Sequence, residues 1–152
     1  MGVQKTACVI YVASTSAELS SVKRSLEDEG YKVTLLLVSV DVAQHIKDND
    51  GEIPPKIRAY IEQADLCVFL LPEDPAEDSG IQGIGGLAGQ IGTRIVGLVA
   101  GTRTMYPVEF ELAGSMIRVS SPRLRSVIQG ENIWEDIDNS PSNRSIDHQR
   151  CQ

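Results

Sequence analysis

Three short, unbroken apolar runs constrain this chain more than anything else in it: residues 7–13 (ACVIYVA), 66–71 (LCVFLL) and, after Arg94, 95–100 (IVGLVA). None of them alternates apolar with polar residues, so none suits a strand with one wet face. Each reads as a strand buried on both faces. Such strands need covering layers on either side, and the residues between them have the spacing to supply those layers. Leu19, Val22 and Leu26 fall on one helical face, with Lys23, Arg24, Glu27 and Asp28 outside. Ile57, Tyr60, Ile61 and Ala64 repeat the pattern, as do Ile84, Leu87, Ala88 and Ile91.

Further elements fill the alternation. Residues 32–39 (KVTLLLVS) read as a second strand, residues 41–47 as a short helix, and residues 116–120 as a late edge strand. Residues 122–128 close the fold as a helix with Leu124, Val127 and Ile128 inward. Thr15 and Glu18 have the T-x-x-E spacing of a capping box, which predicts a helix opening at Thr15 and running to about Glu29, with Gly30 as its stop. Pro54 and Pro55 suit the first turn of the next helix. Strand alternating with helix implies right-handed βαβ units. The expectation is an α/β fold, a flavodoxin-like three-layer sandwich with five parallel strands in the order 2-1-3-4-5.

At 152 residues the chain suits one domain, expected over residues 1–138. Residues 139–152 are mostly Ser, Asn, Asp, Gln and Arg and read as a disordered tail. Aromatic residues make up only 5%, so the core must rest on aliphatic side chains. The net charge of -7 and the lack of a basic cluster argue against nucleic acid. No apolar run is long enough to span a bilayer, and residues 1–6 carry no apolar signal core. Cys8, Cys67 and Cys151 form no C-x-x-C pair and no cluster with histidine, so neither a disulfide framework nor a metal site is indicated. Thiols inside strands fit a reducing compartment, and a cytoplasmic location is expected. Cys8 and Cys67 read as core residues, and His45 and His148 as surface ones. Trp134, with Ile133 and Ile137, is expected to pack the last acidic turn onto the body, and residues 108–112 (VEFEL) read as an edge strand or a short helix.

In the expected order, strands one and three are neighbours whose following helices lie on opposite faces. A crevice then opens at their carboxyl ends, where open parallel sheets bind ligands. Its expected lining is Ala13, Ser14, Thr15 and Ser16 after the first strand, and Pro72, Glu73 and Asp74 after the third. Asp78 should approach the same rim. Hydroxyls and free N–H groups at a helix start suit an anionic or polar ligand end, and a carboxylate such as Asp78 suits a sugar hydroxyl. The glycine-dense segment 80–92 contains neither G-x-x-x-x-G-K-[ST] nor G-x-G-x-x-G. Its six glycines predict a helix packed very closely on the sheet. Gly80, Gly83 and Gly86 are expected to let the backbone approach a ligand.

Residues 78–88 resemble the central motif of nucleoside 2-deoxyribosyltransferases, D-x-G-T-x-x-E-x-G-x-A. Asp78, Gly80, Gly86 and Ala88 match it, and Gly92 matches the turn before the next strand. Ile81 replaces the motif's threonine, and Ile84 stands where the family has its nucleophilic glutamate. Isoleucine has no nucleophilic atom, so the family's covalent mechanism cannot run from that position. The chain also resembles bacterial TIR-like domains, whose active members cleave NAD with a glutamate on the matching helix. Here that helix carries only Gln82 and Gln90 as long polar residues.

Both resemblances imply a domain that binds or senses a nucleotide, nucleoside or NAD-derived small molecule without the usual catalysis. The alternatives are an N-glycosidic bond hydrolase or deoxyribosyltransferase with a displaced carboxylate, and a protein-interaction scaffold. Glu73, Asp74, Glu77, Asp78, Glu109 and Glu111 are the possible carboxylates, and Glu73, Asp78, Glu109 and Glu111 are the candidates to supply the acid. No cofactor is indicated, and the low-charge stretch 83–91 leaves a homodimer open.

Overall fold

The computed structural model describes residues 5–101, 106–110 and 113–135. The expected tail, Glu111, His148, Cys151 and Ile137 lie outside them. Five strands, β1 (Lys5–Tyr11), β2 (Tyr31–Leu37), β3 (Leu66–Leu71), β4 (Arg94–Val99) and β5 (Ser115–Arg118), form one sheet. It is parallel throughout, in the order β2-β1-β3-β4-β5. The helices are α1 (Leu19–Asp28), α2 (Val40–Asp48), α3 (Pro55–Gln63), α4 (Ser79–Ile91) and α5 (Leu124–Ile128). This is the doubly wound, flavodoxin-like architecture expected from the alternation.

All six residues of β3 are buried, because β3 is central and both its faces are covered. Strand geometry sends successive side chains to opposite faces. Cys8, Ile10, Cys67, Phe69, Leu71, Ile95, Val99 and Met116 share one core with residues of α2, α3 and α4. Ala7, Val9, Leu66, Val68, Leu70, Val96, Leu98 and Ile117 share the other with α1 and α5. The first core is anchored by Phe110, whose ring meets that of Phe69 edge-on at 5.0 Å. Burying an aromatic side chain of this kind contributes about 1.5–3 kcal/mol. Cys8 Sγ donates to the Tyr60 carbonyl at 3.3 Å. Burial pushes the Cys8 thiol up to about 11 and the Cys67 thiol up to about 12.

The glycines of α4 do serve close packing, but the close neighbours are Val38 just after β2, α2 and Phe110 rather than the strands of the sheet. A Cβ at Gly80 would run into Val38 and Ala43, one at Gly83 into Ile46, and one at Gly85 into the Phe110 ring. The helix ends at Gly92, which takes the left-handed conformation (φ 88°) that closes a helix at little cost to glycine.

The start of α1 corrects the capping-box expectation. Residues Ala13–Glu18 form a 3-10 turn, and α1 begins only at Leu19. The buried Thr15 hydroxyl turns back to the strand end, where Oγ1 accepts from the Val12 N–H (3.2 Å) and donates to the Val12 carbonyl (3.0 Å).

The two edges of the sheet are finished differently. Beyond β5, the Met116 N–H donates to the Ile133 carbonyl (2.9 Å) and the Glu135 N–H to the Met116 carbonyl (2.8 Å). The Glu135 carboxylate is buried and accepts from the Arg118 N–H (2.9 Å), the Ser121 hydroxyl (2.6 Å) and the Arg123 guanidinium. Trp134 packs against the first core and Ile133 against the second, in line with the expected closure by Trp134. Beyond β2, no strand or helix among the described residues pairs with the sheet.

Candidate functional site

The carboxyl ends of β1 and β3 are adjacent, as the strand order requires. Residues Val22 and Leu26 of α1 lie in one core, and Ile81, Ile84, Leu87 and Ala88 of α4 in the other. The helices following these two strands therefore cover opposite faces, and the space at the strand ends is left to loops. Ser14 Oγ donates to Glu77 Oε1 at 3.0 Å and ties the loop after β1 to the loop after β3. Beside this tie lies an open hollow of about 410 Å³ lined by Ser14, Glu73, Asp74, Glu77, Ala100 and Gly101.

The wall is built locally. β3 ends at Leu71, and Pro72, which has no N–H to donate, ends the ladder. Asp74 Oδ1 accepts from the Ala76 N–H (2.9 Å) and starts the 3-10 turn Pro75–Glu77. The floor comes from β4, whose Val99 is in register with Leu71, so Ala100 and Gly101 arrive beside Glu73. Gly101 has φ 64°, and the Glu73 carboxylate fills the place where any other residue would carry its Cβ. Behind it, Arg118 Nη1 donates to the Gly101 carbonyl at 3.4 Å.

Of the residues expected from sequence, Ser14, Glu73 and Asp74 line the hollow. Ala13 and Ser16 are exposed nearby but are not in its wall, and Pro72 is buried. The Thr15 hydroxyl is turned back onto Val12. The helical start lies at Ala13, where the 3-10 turn opens, and the Thr15 N–H is spent on the Val12 carbonyl at 3.0 Å. Asp78 is buried at the start of α4, outside the lining of the hollow. Gly80 is packed by Val38 and Ala43 and Gly83 by Ile46, and Ile84 is fully buried in the core. Within the stretch 83–91 considered for self-association, Ile84, Gly85, Leu87 and Ala88 are buried and only residues 89–91 are exposed.

Glu109 and Gly86 belong elsewhere. They line a second hollow of about 560 Å³ with Arg94 and Ile95, which open β4, and the two hollows share no lining residue. Glu109 Oε1 is buried there with no hydrogen-bond partner among the described residues. Glu73 and Glu109 are therefore not brought together.

Glu77, expected only as a possible carboxylate, joins the wall, whereas Ala100 and Gly101 were missed in the sequence. Their signal is indirect: a strand that ends level with β3 delivers its next two residues to the same rim. The result is a hollow ringed by Glu73, Asp74 and Glu77, with no cationic side chain among the described residues of its lining. Among the described residues, no group of three His, Cys, Asp or Glu side chains converges to hold a metal. No helix among them is long and apolar enough to cross a membrane.

No family model and no curated protein matches the chain. Among solved structures it is similar to a 2-deoxyribosyltransferase from the psychrotolerant bacterium Bacillus psychrosaccharolyticus. Identity is 16%, the match covers 72% of this chain and 85% of that one, and the TM-score is 0.47. It is also similar to a putative quinone reductase from Klebsiella pneumoniae at 12% identity, covering 64% of this chain and 60% of that one, with a TM-score of 0.42.

Proposed function

We propose that the chain is a binding domain for a nucleoside-type small molecule, uncharged or cationic and rich in hydroxyl and amine donors, held in the hollow at the carboxyl ends of β1, β3 and β4. The observation that carries this reading is the composition of the wall: Ser14, Glu73, Asp74 and Glu77, with no lysine, arginine or histidine among the described residues that line it. Carboxylates accept hydrogen bonds from sugar hydroxyls and exocyclic amines. They repel phosphate, by about 1 kcal/mol per charge pair at 4 Å in water and more as water is excluded. The nucleoside end of the expected ligand range is thus favoured over the nucleotide and NAD end. Covalent sugar chemistry from the motif position is absent in this reading, because Ile84 has no nucleophile and lies in the core.

Thermal denaturation with a panel of nucleosides and their 5′-monophosphates tests the proposal. A nucleoside at 100-fold over its Kd should add about 2.7 kcal/mol, a shift of several degrees for a chain of this size. The monophosphate should give less, and Glu73→Gln should remove the effect. No shift with any nucleoside, or a larger shift with the phosphate, defeats the reading.

One observation keeps an enzyme reading beside it. Glu73 and Glu77 line the same hollow, and two carboxylates near one sugar are what glycoside chemistry requires. Free base released from a deoxynucleoside or NAD by the wild type, and lost in Glu73→Gln, would establish that reading instead.

A further inference from the structure

The outer edge of β2 has what a pairing strand needs. The Val38 N–H donates to the Tyr11 carbonyl, so the backbone at residue 38 faces β1. Backbone direction alternates along a strand. The N–H and C=O groups of Leu37, Leu35, Val33 and Tyr31 therefore point away from β1, to a side where no strand of the described residues lies. The side chains there are apolar: Leu35 is 39% exposed, Leu37 46%, and Val40, just beyond the strand, 84%. Natural edge strands are usually protected by charge, proline, a bulge or a cover. Over its seven residues (YKVTLLL) β2 has Lys32 and no proline, and it keeps unbroken register with β1.

We propose that β2 pairs antiparallel with β2 of a second copy of this chain about a two-fold axis at Leu35, joining two five-stranded sheets into one of ten. A two-fold axis normal to the sheet keeps equivalent faces together and makes the interface self-complementary. With the axis at Leu35, Leu35 faces its own mate, Leu37 faces Val33, and Leu36 faces Thr34. The exposed leucines cover one another, and the outward N–H and C=O groups at Leu35 are exchanged. The only charge on the strand is kept apart, since the two Lys32 residues lie six positions off register, roughly 20 Å. The chain's own C-terminus is a poor occupant. By composition, residues 136–152 offer only Ile137 and Ile146 as aliphatic residues to cover the leucines. A strand-only contact falls in the small, weak class of interfaces, with Kd on the order of 100 µM.

Sedimentation velocity over a concentration series should show the wild type shifting reversibly from monomer to dimer. Leu35→Lys places two ammonium groups opposite each other and should leave a monomer whose far-UV spectrum and melting temperature are unchanged. A wild type that stays monomeric well above that Kd overturns the proposal, as does a Leu35→Lys variant that still dimerises. The register has its own test in a Cys151→Ser background treated with diamide. Leu35→Cys should crosslink to a dimer, because directly opposed strand residues bring Cα atoms within disulfide reach, and Leu37→Cys should not. Crosslinking by Leu37→Cys in place of Leu35→Cys overturns the two-fold at Leu35.

Discussion

The two edges of the sheet carry the same backbone liability and resolve it differently. At β5, a single extended segment docks through backbone hydrogen bonds to Met116, and Glu135 follows it inward to three donors. At β2, nothing among the described residues docks, and leucine remains in water. A closed edge fixes the chain to itself, whereas an open one is available to another chain. The buried carboxylate shows the cost of closure. It is tolerable only while all its donors stay in place.

Substitutions can break or sharpen this contrast. The largest effect is expected at the closed edge. Glu135→Ala strips the Ser121 hydroxyl and the Arg118 N–H of their acceptor and should cost about 3 kcal/mol in urea unfolding. A loss under 1 kcal/mol would mean that the docked segment contributes little to the edge. Trp134→Ala comes next at about 2 kcal/mol, less than for a fully buried tryptophan because this ring is only partly covered. Differential scanning calorimetry should show the lowered transition.

The middle of the sheet gives a reference that neither edge should match. Cys8 and Cys67 sit in register on β1 and β3, with thiols raised from 9.0 to about 11 and about 12 by burial. Above pH 9 the unfolded chain releases protons that the folded chain keeps. Stability is therefore full below pH 9 and falls as pH rises towards 11–12, by on the order of 1 kcal/mol per thiol near pH 10.5. Urea midpoints at pH 8 and pH 10.5 measure the loss, and Cys8→Ala should remove about half of it, leaving the part due to Cys67. The smallest effect belongs to the open edge: Leu37→Lys should change monomer stability by no more than about 0.5 kcal/mol. A larger loss would show that β2 is supported by contacts its exposure does not reveal.

Much of this was legible in the chain, for reasons that differ by element. Residues 66–71 gave β3 to the residue, because a strand buried on both faces leaves no polar gap and Pro72 ends it. The strand order followed from helices alternating with such runs. The start of α1 was misread, since Thr15 and Glu18 have capping-box spacing whether or not the hydroxyl is spent on Val12. The glycines of α4 were rightly linked to tight packing but assigned to the wrong neighbour, because nothing local tells a sheet from α2. The site was half visible. Ser14, Glu73 and Asp74 follow strand ends, while Ala100, Gly101 and the closure by Glu135 depend on partners far away in sequence.

Gly101 sets one last condition. The acid of Glu73 rests where a methyl group would otherwise stand, so one hydrogen atom decides how deep the compartment is and where its negative charge sits. Alanine at that position would act as a plug, evicting the carboxylate while leaving the net charge of the chain untouched. Shape and charge at the rim could then be varied separately, and a guest held by hydroxyl contacts would feel the first change even where the second is null.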